Sequence, residues 1–271
     1  MKNIYSIIKK AKKYLIRNDI VAIPTETVYG LAGNAYSTKA VKKIYKIKKR
    51  PFLNPLIVHY GRLKDLKNDC HINDNFKKLY KKFCPGPLTF VLKKKNNSKL
   101  SKYVNSNKKT VAIRFPNHSI TNKLLLSLNF PLAAPSANVF TKLSTVTALD
   151  VNEEFKKKIK FIIEGGRSKI GLESTIIDIS RKPIILRPGA LEIEKIEKVL
   201  KKKLKIKKRT KKIISPGLLN YHYSPGIPIR LNIKVPKKNE AFIQFFKKEK
   251  KKKNHFYLSN NGSVKEAAKK L

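Results

Sequence analysis

The sequence predicts an α/β domain, because short apolar strands alternate irregularly with amphipathic helices over residues 1–204. Several strands are continuous apolar runs, such as LTFVL at 88–92, which is typical of a sheet covered on both faces. The length of 271 residues is sufficient for one such domain and a smaller appendage. We therefore expect a largely buried mixed sheet that ends near residue 204.

Periodicity and capping place the individual elements. Apolar residues at helical spacing predict an opening helix that ends near Asn18, followed by a short strand and a loop, PTETVYGLAGNA (24–35). Ser37 or Thr38 caps a second helix, which leads into the cationic stretch KKRP (48–51) and the strand LIVH (56–59). Further helices are predicted near 75–83, 119–128 and 191–200, and further strands over 88–92 and 110–115 and within FIIEGG, STIIDIS and PIILRPG.

Composition indicates where the domain ends. Residues 205–228 begin with a basic run and become rich in proline and glycine, which predicts a linker. Residues 229–271 are short for an independent core, so we expect a small C-terminal remnant. The predicted organisation is an α/β domain over 1–204, a linker over 205–228 and a small C-terminal remnant over 229–271.

The charge is strongly basic, with 63 lysines and arginines against 17 acids and a formal net charge of +46. Such a charge favours nucleic acid or nucleotide partners. Codon drift toward A/T-rich usage is the alternative origin, and the lysine runs are typical of solvated faces that can bind RNA weakly.

Several classes of site are excluded. Two cysteines provide no disulfide framework, the five histidines lack metal-ligand spacing, and the common phosphate-binding and hydrolase motifs are absent. No apolar run has the length of a signal peptide or a membrane span, so we expect a cytoplasmic protein without membrane association. A phosphate site must be built from side chains and irregular loops.

Three arginines are each followed by a proline, immediately after Arg50 and Arg187 and one residue later after Arg114. In an extended KKRP stretch, Lys48 and Arg50 can project together toward one phosphate group. The Arg114 guanidinium can hold a carboxylate in two hydrogen bonds. A structural ion pair is the alternative for each arginine, but three such positions favour a common pocket mouth.

Loops that carry small hydroxyl side chains lie at similar junctions: PTET (24–27), APSAN (134–138) and LEST (172–175). They offer short hydrogen-bonding groups, as nucleotide and amino-acid pockets require. The alternative for the loops is capping or turn formation, and for His59 it is a packed position at a strand end.

Seven motifs occur in an order that resembles the YrdC-like domain of threonylcarbamoyl-AMP synthases: PTETVYGLAGNA, KKRPFLNPLIVH, PGPLTFVL, TVAIRFP, PLAAPSAN, GLESTIID and ILRPG. The likeness covers about residues 8–200. HYSP (222–225) resembles the linker of two-domain members, and FYLSNNGSVKEAAKKL (256–271) resembles the opening strand and helix of their C-terminal domain.

The resemblance implies a YrdC-like twisted mixed sheet with helices on its faces. It also implies an ATP-dependent nucleotidyltransferase that converts L-threonine and bicarbonate into threonylcarbamoyl-AMP with release of pyrophosphate. Mg²⁺ is expected with ATP, held through the phosphates. A tRNA-modifying transferase complex would then pass the threonylcarbamoyl group to the adenosine next to the anticodon.

Roles for individual residues follow from the same resemblance. Lys48 and Arg50 would be the catalytic pair at the ATP phosphates. The rest of the nucleotide side would consist of Asn54, Thr110, Ser136, Ser144, Arg187 and Tyr223. The threonine pocket would consist of Thr27, His59, Arg114, Ala134 and Ser174.

One stretch departs from the pattern. Related sequences carry Ser-Gly after the SAN motif and Ser-Pro-Thr a few residues later, whereas this chain has Phe140 and Thr141, and then Val146. We therefore expect an altered adenosine end of the pocket, including Ser144.

Two alternative functions are open. The net charge favours a non-catalytic RNA-binding protein of the same fold. Carbamoyl transfer, as in larger hydrogenase-maturation proteins with a similar domain, is disfavoured because this chain lacks their paired-cysteine modules.

Overall fold

A computed structural model describes residues 4–156, 158–207, 227–246 and 253–270. The chain divides into two compact units, Met1–Tyr223 and Ser224–Leu271, and the division falls inside the segment predicted to be a linker. None of the helices in the described ranges combines the length and apolar character needed to cross a bilayer.

Helices and strands alternate through the described part of the first unit. The helices are α1 (Ile4–Ile16), α2 (Thr38–Lys48), α3 (Leu63–Asp69), α4 (Asp74–Phe83), α5 (Ser119–Ser127), α6 (Ala148–Phe155) and α7 (Ile193–Leu200). The strands are β1 (Val21–Ile23), β2 (Gly30–Asn34), β3 (Ile57–His59), β4 (Leu88–Lys93), β5 (Thr110–Arg114), β6 (Leu132–Ala133), β7 (Phe161–Ile162), β8 (Thr175–Asp178) and β9 (Ile184–Arg187).

The strands of the first unit form one mixed sheet in the order β7-β1-β2-β6-β3-β5-β4-β8-β9. Parallel pairs, such as β3 with β5 and β4 with β8, occur beside antiparallel pairs, such as β4 with β5. The predicted mixed α/β fold is confirmed.

Both faces of the sheet are buried. Successive strand residues point to opposite sides, so one strand can contribute to an apolar cluster on each face. In β5, Val111 and Ile113 belong to the large core cluster, which also receives apolar residues of α2 and α4. Ala112 points the other way, into a small apolar cluster with Ile57, Val91, Ile176 and Leu186.

Strand register places the functional side chains. It aligns five residues in one transverse row: His59, Arg114, Thr89, Ile176 and Arg187. His59 and Arg114 each follow a member of the small apolar cluster by two residues, so they lie on the same face as that cluster. The small apolar cluster therefore lies next to His59 and Arg114 on one face of the sheet.

Four elements of the first unit differ from the predictions, among them the two-residue strand β6, which was not predicted. The segment predicted as a loop contains β2, which pairs antiparallel with β1. Two short helices, α3 and α6, were not predicted. For α6 a signal was present, because Thr147 and Asp150 form a capping box at its start.

The second unit, taken by itself, consists of the parallel strands β10 (Phe242–Phe246) and β11 (His255–Ser259) and the helix α8 (Val264–Lys270) in its described part. β11 and α8 correspond to the strand and helix that the resemblance implied, whereas β10 is an additional strand. The predicted domain boundaries stay a prediction.

Candidate ligand-binding site

A cavity opens beside the transverse row of the sheet, and it collects residues from the predicted motifs. Eight of the predicted ligand residues line it: Thr27, Arg50, His59, Arg114, Ala134, Ser136, Ser174 and Arg187. Their roles toward particular ligands stay predictions. What the fold establishes is that three arginines from distant parts of the chain share one cavity.

Arg50 enters the cavity from the turn that follows α2. Lys49 ends the helix in the left-handed region, with φ at 51°, and redirects the chain. The Arg50 guanidinium then donates through Nε to the Asn54 carbonyl at 3.0 Å and through Nη2 to the Pro55 carbonyl at 2.9 Å. Burial lowers the pKa of Arg50 to about 10, which leaves it charged at neutral pH.

Lys48 lies differently from the prediction. It is the last residue of α2 and is 1% exposed, and its Nζ donates to the Ser136 carbonyl at 2.6 Å and to the Asn138 carbonyl. Burial, and to a lesser degree Arg50, lowers its pKa well below the usual value. The expected parallel projection of Lys48 and Arg50 is wrong, because the helix continues through Lys48 and the stretch is not extended.

Arg187 closes the opposite side of the cavity. Its Nε and Nη2 both donate to the Ser174 carbonyl, at 3.2 and 2.8 Å, and burial lowers its pKa to about 10. The turn after it approaches the LEST loop closely, since a Cβ on Gly189 would lie 2.5 Å from the Glu173 carbonyl oxygen. A residue without a side chain is therefore required there.

Arg114 is the most deeply embedded of the three arginines. Its Nε donates to the Gly86 carbonyl at 3.3 Å and its Nη1 to the Thr27 hydroxyl at 2.9 Å. Its Nη2 lies 2.7 Å from Oε1 of Glu26, an ion pair whose side chains are 5% and 8% exposed. Each terminal nitrogen still has an N–H for a ligand, so the predicted carboxylate contact is geometrically open.

His59 stands next to Arg114 in the sheet and is buried. Burial, and then Arg114, lowers its pKa well below the usual value, so the imidazole is neutral at pH 7. Its Nδ1 has no hydrogen-bond partner among the described residues. A buried polar atom without a partner is costly, and a ligand in the cavity would provide one.

Four predicted residues are described but do not line the cavity. Asn54 is buried behind Arg50, and Thr110 opens β5 at the end opposite Arg114. Lys48 lies beneath the 136–138 loop. Ser144 reaches the cavity indirectly, because its hydroxyl donates to Glu173, which is a lining residue. Tyr223 lies outside the described residues, and its role stays a prediction.

Some lining residues were not predicted as ligand residues. They are Thr25, Val28, Tyr29, Gly30, Ile57, Pro135 and Glu173. All of them lie inside or beside the quoted motifs, and this position was the signal by which sequence analysis could have found them. The ion-pair partner Glu26 was likewise visible only as an acid inside PTET.

The described residues contain no group of three or more His, Cys, Asp or Glu side chains that could hold a metal ion. Glu173 contributes a carboxylate to the cavity lining, but its Oε1 already accepts from Ser144. A cation that arrived with a ligand would meet one carboxylate, Glu173, in the described cavity lining.

Family models match nearly the whole chain. Residues 13–189 match the Sua5/YciO/YrdC model, whose description is telomere recombination. Residues 191–271 match the model described as the C-terminal domain of threonylcarbamoyl-AMP synthase.

Curated relatives agree with these models. The chain is 40% identical over 253 residues to threonylcarbamoyl-AMP synthase of Pyrococcus abyssi, a match that covers 89% of this chain and 74% of the relative. It is 39% identical over 249 residues to threonylcarbamoyl-AMP synthase of Bacillus subtilis, which covers 89% and 71%, respectively.

Solved structures give the same result. The crystal structure of Pyrococcus abyssi Sua5 complexed with L-threonine matches with a TM-score of 0.86 and 33% identity, covering 98% of this chain and 83% of that chain. Full-length HypF in the phosphate- and nucleotide-bound form matches with a TM-score of 0.61 at 23% identity, over 68% of this chain and 29% of that chain, which shows a shared fold only. Taken with the relatives, the matches show that the chain belongs to the threonylcarbamoyl-AMP synthase family.

Proposed function

We propose that this protein is a nucleotidyltransferase that forms threonylcarbamoyl-AMP and pyrophosphate from L-threonine, bicarbonate and ATP. Its product serves the modification of tRNA at the adenosine next to the anticodon, through a separate transferase complex. Membership in the synthase family supports this reaction. A non-catalytic RNA-binding role is not favoured, because relatives that match most of the chain carry the enzyme's name.

The partition of charge within the cavity is the observation that carries the proposal. Arg50 donates to backbone carbonyls, which are neutral, and Arg187 does so too. Glu173 offsets one of these two charges and leaves this side net positive. On the other side, the charge of Arg114 is compensated by Glu26. A positive half suits a triphosphate, and a neutral half suits a zwitterionic amino acid.

The chemistry requires no protein nucleophile. Threonine and carbon dioxide from bicarbonate form a carbamate, whose oxygen bonds to the α-phosphorus of ATP while the bond from that phosphorus to pyrophosphate breaks. The protein must hold two anions in line and neutralise the charge that collects on the leaving phosphates. Arg50 and Arg187 supply that charge, and neutral His59 supplies a hydrogen-bonding nitrogen on the threonine side.

Mg²⁺ would be held through the phosphates of ATP. Glu173 is the carboxylate in the described cavity lining that would be available to the ion. The ion would neutralise phosphate charge in addition to the arginines.

The decisive assay measures pyrophosphate release with each substrate left out in turn. Release must depend on ATP, L-threonine and bicarbonate together. We expect Arg50→Ala to raise the KM for ATP about tenfold or more, since a hydrogen bond to a charged group is worth about 1.5–3 kcal/mol. Arg114→Ala should act mainly on the KM for threonine.

The matched control is Arg181→Ala, because Arg181 is exposed and lies outside the cavity lining. It should leave both KM values within about twofold of the wild type. Pyrophosphate release without threonine would contradict the proposed reaction. An unchanged threonine KM in Arg114→Ala would remove its contact with the carboxylate.

A further inference from the structure

The loop after the APSAN motif is held tightly against the cavity wall. The side chain of Asn138 donates to the Val139 carbonyl at 2.9 Å and to the Lys142 carbonyl at 2.6 Å. The Lys142 amide also donates to the Val139 carbonyl at 3.2 Å, which closes a turn over 139–142. Phe140 and Thr141 occupy the two central positions of this turn, so their backbone placement is fixed by neighbouring bonds.

The turn delivers the Phe140 ring to Arg50. The Phe140 amide donates to the Lys48 carbonyl at 2.9 Å, which anchors the turn to the end of α2. The half-buried ring then lies with its centroid 5.8 Å from Cζ of Arg50, within the range of a cation–π contact. A small side chain at this position could not make this contact.

The other contacts of Arg50 leave a role for the ring. The carbonyls of Asn54 and Pro55 accept from Nε and Nη2. Such bonds lie close to the guanidinium plane and fix its edge, but they do not cover its faces. The Phe140 ring, over which Cζ of Arg50 lies, supplies a further contact that limits rotation of the group. The Nη1 group has no protein partner within the described ranges and is left for an anion.

We propose that Phe140 is a positioning residue for Arg50, one that holds the guanidinium group so that Nη1 meets a phosphate of the nucleotide. The inference rests on the proposed function for the identity of that nucleotide. It assigns a purpose to Phe140, an aromatic residue beside the cation that is proposed to bind phosphate.

The test measures equilibrium binding of ATP by calorimetry in the wild type, Phe140→Leu, Phe140→Tyr, Arg50→Ala and the Phe140→Leu/Arg50→Ala double variant. Leucine keeps the apolar volume and loses the aromatic face, whereas tyrosine keeps both. A cation–π contact of about 0.5–1 kcal/mol corresponds to about a twofold to fivefold loss of affinity in Phe140→Leu. Phe140→Tyr should bind within about twofold of the wild type.

The double variant separates positioning from direct contact with the ligand. If Phe140 acts through Arg50, Phe140→Leu should cause no further loss in the Arg50→Ala background. Equal further loss in that background would overturn the proposal and indicate that the ring touches the nucleotide itself. Threonine affinity, measured in the same variants, should not change, and a parallel loss there would indicate general disruption of the cavity instead.

Binding and turnover are read separately, so the two proposals can fail independently. ATP binding with Phe140–Arg50 coupling, but without threonine-dependent pyrophosphate release, would contradict the proposed reaction and leave the positioning role intact. Threonine-dependent pyrophosphate release without Phe140–Arg50 coupling would support the proposed reaction and contradict the positioning role.

Discussion

The buried ion pair between Glu26 and Arg114 yields a prediction about stability. Nη2 of Arg114 lies 2.7 Å from Oε1 of Glu26, and the two side chains are 5% and 8% exposed. Glu26→Gln removes the compensating charge and leaves a guanidinium in a site that is shielded from water. Loss of one partner of a buried pair costs about 3–5 kcal/mol. Nη2 of Arg114 and the Glu26 oxygens make no hydrogen bond to described residues, so glutamine removes a Coulombic attraction without breaking a hydrogen bond, and we expect the lower end, about 3 kcal/mol.

The expected loss is large enough to measure directly. For a folded unit of this size, about 1 kcal/mol shifts Tm by about 2–4 °C, so Glu26→Gln should lower Tm by about 6–12 °C. The free energy of unfolding from urea titration should fall by the same 3 kcal/mol with an unchanged m-value.

The same substitution at an exposed ion pair is the control. Glu192 pairs with Lys195 at 3.2 Å, but their side chains are 65% and 58% exposed. Glu192→Gln should therefore cost less than about 1 kcal/mol. If Glu26→Gln and Glu192→Gln destabilise the protein equally, Glu26 does not compensate the charge of Arg114, and the neutral half of the cavity does not exist.

Two further predictions concern stability. The pKa of His59 is lowered in the folded protein, whereas a histidine in the unfolded chain has its usual pKa of about 6.5. Below that pH the unfolded chain binds more protons than the folded protein. Folding stability therefore falls on acidification, by up to about 1.4 kcal/mol per pH unit. Between pH 6.5 and pH 5, His59→Gln should lose less folding stability than the wild type, by at most about 1.6 kcal/mol. Urea unfolding at both pH values measures the difference, and identical pH profiles would contradict the prediction. Thr141 has φ at 79°, a conformation that is costly for a β-branched residue, so Thr141→Gly should raise the free energy of unfolding by about 0.5–1 kcal/mol. The control Thr147→Gly, at φ −129° and with a lost helix cap, should lower it by about 0.5–2 kcal/mol, and a change of the same sign in both variants would refute the strain at Thr141.

The sequence was sufficient to predict the mixed sheet, and it marked all three cavity arginines as candidates for a common pocket mouth. Strand alternation accounts for Arg114, which lies on the same face as Ala112 of the small apolar cluster. It does not account for Arg187, because its neighbour Leu186 already belongs to that cluster and alternation directs the next side chain to the other face. His59 was assigned to the threonine pocket from the family resemblance, and the parallel register of β3 and β5 places it beside Arg114.

The placement of Lys48 could not be predicted in the same way. The proline after Arg50 suggested an extended stretch, whereas α2 continues through Lys48 and turns only at Lys49, a left-handed residue without a glycine signal. One residue of helix instead of strand rotates a side chain by about 80°, the difference between 100° and 180° per residue. That rotation directs the Lys48 ammonium beneath the 136–138 loop and leaves Arg50 in the cavity.

The charge compensation between the buried Glu26 and Arg114 could not be predicted from the sequence either. Glu26 and Arg114 are distant in the chain, and their approach depends on how the loop before β2 crosses the end of β5. No local pattern reports such a crossing. The ring of Phe140 over Arg50 is a similar case, since a departure from the related sequences marked the position but not its partner.

The exposed lysines and the cavity arginines act on anions at different distances. Exposed lysines attract any polyanion, but their field is screened beyond about 10 Å at 0.1 M salt. Arg50 and Arg187 are held by carbonyl groups at the cavity wall, where water screens their charge less. Within the described residues, neither guanidinium group is hydrogen-bonded to a carboxylate. The excess of surface cations therefore influences how fast nucleotides and RNA arrive, whereas the embedded guanidinium groups determine where a phosphate lies.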